Sequence, residues 1–295
     1  MRFAELRAGL LLLSVFVSGC VSVEEMAARD AAIEPVTEIR LPQGDGPFPA
    51  VVVLHNCAGL DGSGRDVPLG WADFLVANGY AVALTDSFRP RNRFGGVCTA
   101  PGPQWVRPMI RGEDAHKGRR ALQANPKVDR NRIAVMGGSN GGVATLAAVN
   151  RQWIEQGGWL RAGEAQFRAA IPFYPECGIG YGDWVVQRGL GGVRPSGTFE
   201  SVAPMLILIG SADDWTPAPI CETMAGQASG APVSIKVYPG AHHSFDNPTL
   251  PRALHNPRAT NINRPGAGAT VGYDPAAYVD SKAQVLRFLG EHMRR

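Results

Sequence analysis

Ile133-Ala-Val-Met-Gly-Gly-Ser139-Asn-Gly-Gly-Val-Ala-Thr-Leu-Ala-Ala-Val149 is the stretch that decides the fold. It opens on an apolar run, Ile133 to Met136, that reads as a buried strand, and closes on a small-residue run that predicts a helix over Gly142 to Asn150. Between them, Gly137-Gly138-Ser139-Asn140-Gly141 satisfies G-x-S-x-G, the pattern of a sharp strand-to-helix turn that pushes a serine hydroxyl outward. Chance alone gives roughly 0.2 such matches at this Gly and Ser content, so the flanking strand and helix carry the argument. A helix that starts right after the serine also aims its free amides at the place where an oxyanion would form.

Working outward, the same alternation of short apolar runs and helical patterns continues in both directions. Strands are predicted at Val36 to Leu41, Ala50 to Leu54, Ala81 to Thr85, Ala169 to Phe173, Met205 to Ile209 and Val233 to Tyr238. Helices are predicted at Trp71 to Asn78, Glu113 to Asn125, Pro219 to Ala228 and Pro275 to Met293. Several strands lack polar alternation, as strands covered on both faces should. The class is therefore α/β, with a mostly parallel central sheet and helices on both faces. Two segments break the rhythm, Arg89 to Pro108 and Asn247 to Gly272, and long loops in a compact domain are commonly functional. In such a sheet, ligands bind at the carboxyl ends of the strands.

The 295 residues are 45% hydrophobic and 19% charged, with no repeat or low-complexity block, which fits one large domain over 36–295 and excludes a disordered or fibrous chain. A formal charge of +3 with no basic stripe argues against a nucleic-acid partner. Residues 1–19 are separate: Arg2 and Arg7 flank the start of an apolar run, Ala8 to Val17, that is too short to span a bilayer and reads as a secretion signal. Val17-Ser18-Gly19-Cys20 resembles a bacterial lipobox, so Cys20 is the expected lipidation site, residues 20–35 a tether, and the lipid the sole membrane contact. The expected location is the bacterial cell envelope or periplasm. Export permits disulfides, and without Cys20 an even set remains: Cys57, Cys98, Cys177 and Cys221. Sequence alone leaves their three pairings open.

A serine nucleophile needs a base and an orienting carboxylate, in the order Ser, Asp, His for this architecture. Strand Met205 to Ile209 runs into Gly210-Ser211-Ala212-Asp213-Asp214, where either aspartate could serve. Strand Val233 to Tyr238 leads into Pro239-Gly240-Ala241-His242-His243-Ser244-Phe245, where either histidine could serve. No metal motif competes, since adjacent residues such as His242 and His243 rarely point at one ion; no cofactor is expected.

With these motifs in this order, the chain resembles the dienelactone hydrolase family of α/β-hydrolases over roughly Val36 to Met293. The family pattern G-x-x-D-x-x-x-P is met by Gly210 to Pro217 and selects Asp213; Y-P-G-A-x-H-x-F is met by Tyr238 to Phe245 and selects His243. The resemblance places the oxyanion loop at His55-Asn56-Cys57-Ala58-Gly59 and implies that the Cys57 and Asn140 amides form the oxyanion hole. The founding enzymes use a cysteine nucleophile and a loop glutamate; here Ser139 and Asn56 stand at those positions, a concerted change to a neutral hydroxyl activated by His243 alone. The family's substrate-carboxylate arginine falls near Asp86 to Arg91, which makes Arg89 and Arg91 candidates. Exported relatives carry cysteines at the same four sites, which implies the pairs Cys57–Cys98 and Cys177–Cys221.

The expected activity is serine hydrolysis of a small carboxylic ester or lactone through Ser139, His243 and Asp213. The alternatives are a serine peptidase or acyltransferase on the same scaffold, and a catalytically silent ligand-binding lipoprotein. Trp105, Trp215 and Phe245 are candidate pocket walls.

Overall fold

A computed structural model describes residues 23–99, 106–189 and 192–294; the signal segment, Cys20 and Trp105 lie outside the described residues. Seven strands form the main sheet: β1 (Val36–Arg40), β2 (Phe48–Leu54), β3 (Ala81–Asp86), β4 (Val128–Gly138), β5 (Ala170–Phe173), β6 (Met205–Gly210) and β7 (Val233–Tyr238). Their order is β1-β3-β2-β4-β5-β6-β7. β1 pairs antiparallel with β3, and every other neighbouring pair is parallel. β3, β5 and β6 are buried along their whole length, which explains their lack of polar alternation.

Among the described residues, seven α-helices accompany the sheet: α1 (Val23–Ala32), α2 (Asp66–Ala77), α3 (Pro108–Gln123), α4 (Asn140–Val149), α5 (Arg151–Gly157), α6 (Ala218–Gly226) and α7 (Pro275–His292). Successive side chains of a strand point to opposite faces, and β2 shows which helix lies where. Val52 approaches Gly118 of α3, whereas Val53 shares a small cavity with Trp71 of α2. α7 joins α2 on its face, with the Trp71 and Tyr278 rings 6.2 Å apart. α4 packs against α3 on the opposite face.

Several boundaries differ from expectation: α2 starts at Asp66 rather than Trp71, and β4 at Val128 rather than Ile133. α3 starts at Pro108 rather than Glu113, because a proline at the first helical position has no amide to waste and its φ is already helical. The segment read as a tether contains α1, an alanine-rich helix that docks on the domain. Arg91 donates to the carbonyls of Asp30 (2.8 Å) and Ile33 (3.0 Å), satisfying acceptors where the helix ends. Ala27 and Ala31 pack on a small apolar cluster of Phe88, Val97, Val106 and Ile110. The irregular segment 247–272 contains a two-stranded ribbon, Leu254–Asn256 with Ala269–Val271. The disulfides are Cys57–Cys98 and Cys177–Cys221, as the resemblance implied.

Candidate active site

Ser139 directly follows β4 and caps α4 with φ at 56°, a left-handed backbone that is strained for a residue with a side chain. The turn closes because Gly141 has no Cβ; one there would run into the carbonyl oxygen of Leu54 at the end of β2. This geometry leaves Ser139 mostly buried but on a cavity wall.

His243 Nε2 lies 2.9 Å from Ser139 Oγ, and His243 Nδ1 lies 2.8 Å from Asp213 Oδ2. A carboxylate only accepts, so the hydrogen sits on Nδ1 and Nε2 is free to take the serine proton. Asp213 is itself fixed: Oδ1 accepts the backbone amides of Trp215 (3.0 Å) and Thr216 (2.8 Å), and Thr216 Oγ1 donates to Oδ2 at 2.8 Å. The imidazole is held between the Tyr174 and Trp215 rings, with centroids 4.7 and 4.8 Å away. Tyr174 in turn donates to the buried carboxylate of Asp246 at 2.6 Å. The neighbouring candidates face elsewhere. Asp214 accepts from the Thr270 amide and hydroxyl, and His242 Nδ1 lies against the Ala212 carbonyl.

Cys57 and Asn140 share the cavity wall with Ser139. As the first residue of α4, Asn140 has an amide with no acceptor inside the helix. Asn56 accepts the Ala58 amide at 2.9 Å and so shapes the turn carrying Cys57. A residue absent from the sequence reading joins these two loops: fully buried Arg111, on α3, donates to the His55 carbonyl at 2.8 Å and to Asn140 Oδ1. Its guanidinium lies over the Phe88 ring, and burial pushes its pKa down to about 9.

The arginines named from sequence do not reach the site. Arg91 is buried in a bidentate pair with Asp114, at 2.8 and 2.9 Å, and also donates to Ser87 O. Arg89 is tied to Asp86 at 3.2 Å and lines neither cavity beside Ser139. For Arg91, a carboxylate and carbonyls already occupy the fork that a substrate would need. Phe245 is likewise buried, among Phe173, Tyr174 and Tyr238, rather than on a pocket wall. Trp215 lines a cavity beside Ser139, with its indole donating to Thr260 O at 3.0 Å.

Two cavities meet at Ser139. One, of about 530 Å³ counting space open to solvent, is walled by Pro108, Val143, Ile179, Ile262, Trp215 and the Cys57–Cys98 disulfide. The other, about 1240 Å³ on the same basis, is lined by His243, Leu250, Leu254 and Arg258. Glu176 is a second residue the sequence did not flag: it lies in the wall of the first cavity, with its carboxyl pushed up to about 7 by burial.

The dienelactone hydrolase family model matches residues 37–293. The chain belongs to this family. As a member it has the α/β-hydrolase fold and is a hydrolase by descent. No curated protein sequence matches it. Among solved structures, it is similar to a dienelactone hydrolase-like promiscuous phosphotriesterase from metagenomic libraries, with TM-score 0.58, 18% identity, and coverage of 90% of this chain and 95% of that one. A thermophilic esterase from Thermogutta terrifontis matches with TM-score 0.55 and 19% identity, covering 86% and 88%. A dienelactone hydrolase-like structure from Klebsiella pneumoniae matches with TM-score 0.54 and 18% identity, covering 87% and 93%. At these identities, the structural matches speak to the fold.

Proposed function

We propose that the protein is an exported serine hydrolase that cleaves a carboxylic ester or lactone through an acyl-enzyme. The observation that carries this reading is the unbroken chain Ser139 Oγ, His243, Asp213, with both contacts below 3 Å and all three groups buried. Ser139 Oγ attacks the ester carbonyl while His243 Nε2 takes its proton; Asp213 stabilises the imidazolium and holds its tautomer. The Cys57 and Asn140 amides receive the oxyanion. Collapse of the tetrahedral intermediate breaks the carbonyl–alkoxy bond, and His243 returns the proton to the leaving alcohol. Water, deprotonated by the same nitrogen, then releases the acid and restores Ser139.

The wall residues support a division of labour between the two cavities. The proton donor must stand beside the leaving oxygen, so the alcohol belongs in the larger cavity that His243 lines. The acyl group belongs in the smaller one, which carries both oxyanion residues but not His243. Two disulfides fit an oxidising compartment. Lipidation of Cys20 belongs to the same reading: α1 begins three residues later, so an anchor there would hold the domain close to the membrane. Cys20→Ala should move the protein from the membrane to the soluble fraction.

The first test is labelling with a fluorophosphonate, peptide mapping and a p-nitrophenyl acetate assay. Labelling at Ser139 with turnover is expected, and Ser139→Ala should abolish both while melting like wild type. A folded, oxidised protein that neither labels nor turns over ester would defeat the reading and favour a silent binding protein.

A further inference from the structure

The cavity assigned to the acyl group has a mostly apolar wall; beside the reacting Ser139 and the oxyanion residue Asn140, its polar residues among those described are Thr216, Thr260 and Glu176. Of the described residues that line it, Glu176 is the one with an ionisable side chain. It follows β5 at the carboxyl end of the sheet, on the stretch that also carries Cys177 of the second disulfide. Its carboxylate sits in a built cradle. Oε1 accepts the Gly178 amide at 2.5 Å, Oε2 accepts Asn263 Nδ2 at 2.6 Å, and Arg188 stands 4.0 Å from Oε1. Asn263 is pinned by its second hydrogen bond to the Trp215 carbonyl at 3.1 Å. A Cβ at Gly178 would meet Glu176 Oε1, so a side chain there would displace the carboxylate from this cradle.

Two donors leave acceptor positions on a carboxylate unfilled, since each oxygen can accept two. A buried carboxyl costs free energy, and the mechanism through Ser139, His243 and Asp213 does not use this one. A purely apolar acyl chain laid along this wall would strip what water reaches the carboxylate and return no hydrogen bond. A hydroxyl on the acyl chain would replace that water. A substrate ammonium fits less well, because Arg188 already supplies positive charge nearby and most of the remaining wall, Pro108, Val143, Ile179, Ile262 and Trp215, would not solvate a second cation.

We propose that Glu176 is the specificity-determining contact of the acyl cavity, and that the preferred substrates are esters whose acyl chain bears a neutral hydroxyl close to the carbonyl. The proposal rests on the serine-hydrolase reading and adds to it a substrate class. Recognition of a hydroxyl by a charged acceptor discriminates against an isostere without it by about ten- to a hundredfold.

The test uses isosteric pairs of p-nitrophenyl esters: lactate against 2-methylpropanoate, and 3-hydroxybutyrate against 3-methylbutyrate. For each enzyme the readout is the ratio of kcat/KM within a pair, so a general loss of activity or folding cancels. In wild type, at least one hydroxy ester should be favoured tenfold or more. Glu176→Leu should bring that ratio to about one, and Glu176→Gln, which keeps an acceptor oxygen, should retain part of it. A wild-type ratio near one in both pairs, or a ratio unchanged in Glu176→Leu, would overturn the proposal. So would a 3-aminobutyrate ester that outperforms the 3-hydroxy ester. Fluorophosphonate labelling of Ser139 separates the two levels: labelling with flat ratios rejects the role of Glu176 alone, and no labelling rejects the hydrolase reading itself.

Discussion

Arg111 offers the sharpest test of how the oxyanion site is held together. Its two donors bridge the loop that carries Cys57 and the first residue of α4, so Arg111→Met removes the link and leaves the amides to be held by their own turns. Complete loss of one oxyanion donor costs about 10²–10³ in rate. Misplacement on the scale of 1 Å costs about 10². Here both amides remain but lose a shared brace, so kcat on p-nitrophenyl acetate should fall by roughly 10- to 100-fold. KM should change by less than about threefold, because the cavity walls that bind the ground state do not include Arg111. Stability should fall less than the lost hydrogen bonds suggest. Each unpaired buried acceptor costs about 1–3 kcal/mol. Removing a fully buried cation, which its environment already disfavours enough to push the pKa to about 9, offsets part of that. Arg111→Lys should be intermediate, since an ammonium cannot span both acceptors with a planar fork. Steady-state kinetics with a thermal melt on the same sample decide the matter. A folded Arg111→Met enzyme with kcat within twofold of wild type, or one whose only change is a higher KM, would refute the bracing role.

Asp213→Asn should lower kcat by about 10⁴ with little change in the melt, because the amide favours the wrong imidazole tautomer; steady-state assays check it. Replacing both Cys57 and Cys98 by alanine opens a loop of sequence separation 41, which costs about 4 kcal/mol in the loop-entropy description. It should also lower kcat, because Cys57 sits in the oxyanion loop; the readouts are denaturant unfolding and turnover. Glu176 predicts a pH slope. Its folded-state pKa of about 7 lies above the ordinary 4.5, so the folded state keeps a proton that the unfolded chain has released. The contribution of Glu176 to stability is therefore most favourable below about pH 4.5 and declines as pH rises to about 7. Glu176→Gln should shift the stability difference in the variant's favour between pH 5 and 8, by up to about 3 kcal/mol. Melts across that range in which the two proteins keep a constant difference would contradict it.

What the sequence disclosed, and what it withheld, follows from how far apart the cooperating residues lie. Each member of the Ser139, Asp213 and His243 set closes its own strand, and strand, turn and helix are local patterns, so all three positions could be read before any contact was known. The choice between Asp213 and Asp214, or His242 and His243, was different in kind. Adjacent residues on a turn point in different directions, and only the family motifs separated them; the structure shows the rejected pair bonded to Thr270 and Ala212. Arg91 misled because the sequence shows a basic loop but not the carboxylate that neutralises it, Asp114, on another element. Arg111 and Glu176 were invisible for the same reason in reverse. Arg111 lies just before the helix predicted at Glu113 and belongs to no motif, and its partners His55 and Asn140 are 56 and 29 residues away. Glu176 depends on Asn263, 87 residues on, in a segment legible only as irregular. The chemistry of this fold is thus written locally at the strand ends. The bracing of the oxyanion loop and the polar spot in the acyl cavity arise where α3 and the 247–272 segment are folded back over those ends. Substitutions there should alter selectivity and rate while leaving the nucleophile, base and orienting acid in place.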